Sequence, residues 1–292
     1  MILSDHNKGV LLVVLGTVLF ASKAIVIKIL YQMGIGALEL QTLRMLIIFP
    51  FYALILAWVV YKSGWGISAK EAISTMMAGI ACYHIASFLD LKGLLYISAG
   101  LERMILFCYP AISMLLAWIF LKEKITLKFF IALLVSYFGI VLFFYADLSF
   151  SGEGLLYGSF LVFVASILTA WFMIANQVHS RTIGTQKFTC LAMLAAVTTL
   201  LLHSSLVGVD NLYQYDSNLY IGAAVIAILC TLIPSFLVSA GIKIIGASKA
   251  GIFSAIGVLF TILLSNYVLD EPITLMHLAA VTLVILGMRL LK

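Results

Sequence analysis

The sequence predicts an all-α integral membrane protein of ten transmembrane helices, arranged as two inverted-topology halves of five. Three observations predict it. The 292 residues are 64% hydrophobic and 10% charged, whereas soluble domains run at roughly 45–50% and 25%. A long stretch occurs twice: SFLDLKGLLYISAGLERMILFCYPAISMLLAWIFLKEKITL at 87–127 and SFLVSAGIKIIGASKAGIFSAIGVLFTILLSNYVLDEPITL at 235–275. Lysine and arginine, finally, crowd onto one side of the expected membrane.

The repeat has a fixed register. Glu123 and Glu271 differ by 148 positions, and the same offset pairs Ser87 with Ser235, Gly93 with Gly241, Ala99 with Ala247, Thr126 with Thr274 and Gly139 with Gly287. Duplication on this scale in an apolar chain is the mark of a transporter built from two related halves, here residues 1–147 and 148–292.

Taken in order, the apolar segments run over about 9–31, 39–61, 71–91, 98–121, 126–145, 154–178, 187–207, 219–243, 248–268 and 274–291, each near the roughly 20 residues that a bilayer requires. The first is too long for the roughly 7–15 apolar residues of a signal peptide and reads as a retained helix. Five segments per half is an odd number, so the second half must enter the membrane from the opposite side. With the N-terminus inside, Lys8, Lys62, Lys70, Lys122, Lys124, Lys128, Arg181, Lys187, Lys243, Lys249, Arg289 and Lys292 all flank cytoplasmic ends. The connectors GVDNLYQYDSN and ADLSFSGEG carry no basic residue. Both termini are therefore expected in the cytoplasm, as the positive-inside rule dictates.

Several function classes drop out. The net charge of +5 comes without a basic run or a soluble module that could engage nucleic acid. Cys82, Cys108, Cys190 and Cys230 fall inside apolar segments with no CxxC or Cys/His spacing for a metal, and they read as packing residues. No nucleotide, zinc-protease or nucleophile motif suggests a cofactor or a catalytic residue. The alternative to a transporter, a membrane-embedded sensor or enzyme, would need a catalytic loop or partner-binding tail that connectors of about ten residues do not offer.

At the ends of the repeat, Leu121-Lys122-Glu123 and Leu269-Asp270-Glu271 precede Ile-Thr-Leu. The glutamates and threonines are expected to cap free N–H groups at the mouth of each helical hairpin. These elements, with Tyr-Ile-x-Ala and Ile-Ile-x-Ala upstream, Lys28 late in the first segment and Arg44 after Glu-Leu-x-x-Leu in the second, resemble the drug/metabolite transporter superfamily, specifically the EamA-type permeases. The resemblance covers essentially the whole chain. It implies ten helices in inverted repeats, a small organic solute such as an amino acid as substrate, and export, which several bacterial members perform. The sequence departs at Val258, where the second copy usually has the proline that Pro110 supplies in the first. A straighter ninth helix than fourth is therefore expected.

Ionisable groups inside a span cost about 2.5–3.5 kcal/mol each, so they must be paired, wet or functional. Lys23, Asp90, Glu102 and Arg103, with Tyr83 and His84 on the third segment, are the candidates for substrate binding or proton coupling in the first half. Counted at about 1.5 Å per residue, Lys23 and His84 lie near the midplane, whereas Asp90, Glu102 and Arg103 lie toward the outer interface. That depth makes Asp90, Lys92, Glu102 and Arg103 readable either as an interfacial salt-bridge set or as holding a titrating proton site. Lys23 is too deep to snorkel and must pair with Asp90 or Glu102 or face a water-filled cavity. His84, with its ordinary pKa of about 6.5, is a proton partner or a helix-to-helix hydrogen bonder. Trp171 stands opposite Lys23 at the repeat offset and offers an aromatic wall, and Asn176 an amide, on the sixth segment. The partners implied are the bilayer, a small solute and, for coupled rather than facilitated flux, protons as coupling ion.

Overall fold

In the computed structural model of the protein, residues 5–122, 127–148, 152–209, 212–245, 253–254 and 256–290 are described. Glu123, Thr126, Ala247, Lys249 and Lys292 lie outside them, so the first Leu-x-Glu element is open to comparison only through Lys122. Ten helices follow in order among the described residues: α1 (His6–Gln32), α2 (Ala37–Ser63), α3 (Ala69–Gly93), α4 (Ala99–Phe120), α5 (Phe130–Asp147), α6 (Leu155–Ile183), α7 (Thr185–Val207), α8 (Ser217–Val238, its path continuing to Ile245), α9 (Ile256–Leu269) and α10 (Leu275–Leu290). The first eight are long and apolar enough to cross a bilayer, and the last two are shorter and apolar. Leucine, phenylalanine and tryptophan side chains such as Leu54, Trp58, Phe120 and Leu206 stay exposed, as a lipid-facing surface requires.

The halves interlock. α1 packs on α8 and α9, and correspondingly α6 packs on α3 and α4; α2 meets α8 as α7 meets α3; α2 lies on α7, α4 on α9 and α5 on α10. Among the described residues, each of these pairings between halves is thus matched by its counterpart or is its own counterpart, as a pseudo-two-fold axis demands. Small residues permit the closest approaches. A Cβ added to Gly139 on α5 would stand 2.6 Å from the Ala280 carbonyl oxygen, and one added to Gly287 on α10 would stand 2.7 Å from that of Ala132. Both pairs obey the offset of 148.

Irregularities in the helices repeat as well. A π-helical turn interrupts α3 at Ile80–Ala86 and α8 at Ile228–Leu232, starting at equivalent positions. Lys122 and Asp270, also equivalent, adopt left-handed φ values of 56° and 53° after α4 and α9. Other irregularities belong to one half. α4 breaks at Phe107–Cys108, just before Pro110, because proline offers no N–H to the Leu106 carbonyl. Val258 sits buried in the stretch Ile256–Leu269, and the position level with the break in α4, residue 255, on which the expectation of a straighter ninth helix turns, lies outside the described residues.

Candidate functional site

α1 is irregular at Ser22, which parts the helical stretches Asp5–Ala21 and Lys23–Gln32 while keeping helical dihedrals and its own ladder bonds, Ser22 N to Val18 O at 3.1 Å and Val26 N to Ser22 O at 3.3 Å. The carbonyls at this point are approached by side-chain donors from two other helices: the Arg103 guanidinium donates to Phe20 O at 2.8 Å, and the Thr261 hydroxyl, whose one proton is shared with Gly257 O of its own helix at 2.9 Å, reaches Ala21 O at 3.2 Å. Side chains that intrude on the i to i−4 ladder are a standard cause of helix irregularity. Lys23 opens the second stretch. Its ammonium meets Asp90 Oδ2 of α3 at 2.6 Å, with the two side chains only 14% and 6% exposed.

Around this pair the other charges gather. Glu102 is wholly buried, neither carboxyl oxygen meets a donor, and it lies within hydrogen-bonding reach of Asp90. Arg44 of α2, also buried, donates to Ser87 Oγ at 2.6 Å, and the Tyr31 hydroxyl donates to the Leu91 carbonyl at 2.7 Å. The interfacial salt-bridge reading of Asp90, Glu102 and Arg103 is therefore corrected, as is the division by depth. The lysine stem closes the gap in depth between Lys23 and Asp90, and Arg103 turns inward to a backbone carbonyl. Lys92 alone of the proposed set stands apart, its ammonium 6.0 Å from the ring centres of Phe88 and Tyr157.

The remaining candidates separate from this cluster. His84 bonds across to α7, Nδ1 with Thr199 Oγ1 at 3.0 Å and Nε2 with His203 Nδ1 at 3.1 Å. Tyr83 packs edge-on against Phe172 with ring centres 4.9 Å apart. Both residues lie in the π-helical turn of α3, where the buried Gln41 amide of α2 donates to their carbonyls at 3.2 and 3.0 Å. Trp171 is 38% exposed, Asn176 is half-buried, and among the described residues neither joins the charged cluster. A side cavity of about 320 Å³ opens between α4, α5 and α6, lined by apolar residues such as Ile105, Ile140, Phe144 and Phe160.

A second polar cluster ties the halves together at the end of the bundle away from the start of α1. Glu271 was expected to cap its own hairpin; it reaches instead to the other half, accepting from Ala99 N at 2.9 Å and Gly100 N at 3.4 Å, at the N-terminus of α4. Lys28 approaches the same carboxylate at 3.2 Å. The partly positive helix end and the ammonium both favour an anion there, whereas the hairpin's own cap is supplied by Thr274, whose hydroxyl accepts from His277 N at 3.4 Å. Beside it the Ser98 hydroxyl donates to Asp147 Oδ2 at 2.7 Å, and His277 Nε2 lies 3.5 Å from Asp147 Oδ1. Sequence reasoning did not reach Asp147 and His277. Asp147 has no repeat counterpart within the chain and His277 stands opposite Phe129, so no pattern flagged them.

Comparison with known proteins agrees with this architecture. The EamA-like transporter family matches twice, over residues 7–145 and 156–291. The chain belongs to that family. As an EamA-like transporter it falls within the drug/metabolite transporter superfamily. It is 28% identical over 293 residues, 97% of this chain and 93% of the relative, to the protein named uncharacterized transporter YcbK of Bacillus subtilis (strain 168). A solved crystal structure shares the fold, with a TM-score of 0.68 at 12% identity and 98% of both chains covered.

Proposed function

We infer that this transporter exports small organic metabolites, amino acids among them, across the cytoplasmic membrane by alternating access, with both termini in the cytoplasm and protons as coupling ion. The observation that carries the reading is the tie between halves at one end: Lys28–Glu271 and Glu271 on the α4 N-terminus, each joining residues of opposite halves. Two halves related by a pseudo-two-fold axis can rock about it, and ties of this kind, like the one at the opposite end where Lys187 donates to Gly64 O at 2.7 Å and Trp65 O at 3.0 Å, must break when their end opens. Lys23, Asp90, Glu102 and Arg103 lie behind this closure, so opening it would bring solvent and solute toward them. The positive-inside distribution supports placing that end on the outer side. Amino acids, carrying both charges, suit a site that offers cations and carboxylates together. Proteoliposomes tested with a panel of labelled amino acids, with and without a pH gradient, should show gradient-stimulated movement of at least one. Movement of none, in vesicles whose protein is correctly folded, would remove amino acids from the reading.

A further inference from the structure

We propose that Glu102 is the proton-binding residue of this transporter, holding a proton against Asp90 and passing its loss to the irregular point of α1 through Arg103. The word transport rests on the preceding reading; the proton site does not.

The geometry is one of acceptors without donors. Asp90 directs Oδ2 to Lys23, its Oδ1 meets no donor, and neither oxygen of Glu102 does, although the two carboxyl groups lie within hydrogen-bonding reach. Ionised carboxylates only accept, so two of them facing each other cannot satisfy one another. A single proton on Glu102 makes it a donor to Asp90 Oδ1, and the pair then shares one negative charge, the one Lys23 neutralises. Glu102 is the member to carry it because Asp90 already has its cation, whereas no ion pair reaches Glu102 among the described residues. A proton also fits where a larger cation would not, since Glu102 has no exposed surface.

The charged and titratable groups facing the pair are Lys23 and Tyr31 of α1, Arg44 of α2, Cys82 of α3 and Arg103 of α4, with Cys230 of α8 on the side of the cations Lys23, Arg44 and Arg103. The buried α9 hydroxyls of Thr261 and Ser265 are engaged by backbone carbonyls instead, Thr261 by Gly257 O and Ala21 O and Ser265 by Ile262 O. Arg103 is the group free to respond. Its guanidinium is held by the neutral Phe20 carbonyl, and its Nε meets no acceptor. When Glu102 releases its proton to water, the carboxylate keeps the electron pair and draws Arg103, because a charged acceptor outcompetes a neutral one. Phe20 O then loses its donor at the irregular point of α1. Titration at one carboxyl thereby alters the joint in the helix that packs on α8 and α9.

Infrared difference spectra of the purified full chain, between acidic and alkaline buffer, test the site without any substrate. A protonated-carboxyl C=O band that bleaches on alkalinisation is expected in the wild type, retained in Glu102→Asp and absent in Glu102→Gln. A band missing from the wild type, or unchanged in Glu102→Gln, overturns the proposal. Glutamine imitates the protonated acid and can donate to Asp90 in its place, so Glu102→Gln should melt within about 3 °C of the wild type; a variant that fails to fold also overturns it. In proteoliposomes, a labelled amino acid exchanged for one proton should accumulate about tenfold per pH unit in the wild type. Glu102→Gln should lose accumulation, and accumulation kept by Glu102→Gln refutes the coupling role. If no labelled amino acid moves, the transport reading fails, while the infrared band still decides the proton site.

Discussion

Lys23 shows how much one side chain can organise. Its ammonium is buried and bonded to Asp90, so Lys23→Met strands a carboxylate that was neutralised and should cost about 3–5 kcal/mol, the usual penalty for halving a buried pair. Lys23→Met with Asp90→Asn removes both charges, and most of that loss should return, because a neutral pair has no ionic desolvation to offset. Thermal denaturation of the purified variants, read as a double-mutant cycle, measures it. A double variant no more stable than Lys23→Met would show that Lys23 and Asp90 are not energetically coupled. The candidates Lys23, Asp90, Glu102 and Arg103 were legible in the sequence because charge inside an apolar segment is conspicuous, and Asp90 or Glu102 was already expected as the partner of Lys23 unless a water-filled cavity served instead. Their common depth was not legible, because counting rise along ideal helices ignores the irregularity at Ser22, the π-helical turn in α3 and the reach of a lysine stem.

At the scale of the element, the π-helical turn of α3 depends on a residue from another helix. Gln41 is fully buried and spends its amide on the Tyr83 and His84 carbonyls. Gln41→Leu keeps the size and removes both hydrogen bonds, for an expected loss of about 1–3 kcal/mol at the usual 0.5–1.5 kcal/mol apiece. Hydrogen exchange should show the loss concentrated at residues 80–86, with the amides of α5 and α10 unchanged; uniform loss of protection would mean that Gln41 supports the whole bundle. Helix periodicity cannot announce such a turn, since one extra residue shifts the apolar pattern without erasing it. Only the location of the same irregularity in α8 reveals, after the fact, that it belongs to the repeat.

For the whole molecule, the contact between α5 and α10 is the place where the duplication can be tested as mechanics. Gly139 and Gly287 lie against carbonyls of the opposite helix in equivalent settings. Gly139→Val and Gly287→Val should therefore each destabilise the protein by about 1–3 kcal/mol, the range for overpacking, and by similar amounts. Thermal melts of the two single variants measure this, and a large inequality would show that the axis relating the halves is not maintained at this contact. The ten-helix fold was readable because the bilayer allows an apolar chain few alternatives and because the offset of 148 runs through both halves. The polar cluster around Glu271 was not readable as a unit: Lys28, Ser98, Asp147, Glu271 and His277 come from four separated stretches, and nothing in their spacing joins them.

The π-helical turn also acts as a change of reading frame within one helix. Ahead of it, Gly79 lies against Ala192 of α7; beyond it, Gly93 lies against Gly158 and Val162 of α6, so α3 serves two neighbours by rotating its faces part-way along. One residue corresponds to about 100° around a regular helix. Removing a single residue between Gly79 and Ser87 would leave α3 long enough and apolar enough, yet turn Asp90 away from Lys23. In sequence alignments, a one-residue gap at this place should thus be read as a chemical change some distance downstream: a relative that lacks the extra residue is expected to lack the ion pair too, unless a compensating insertion restores the frame before position 90.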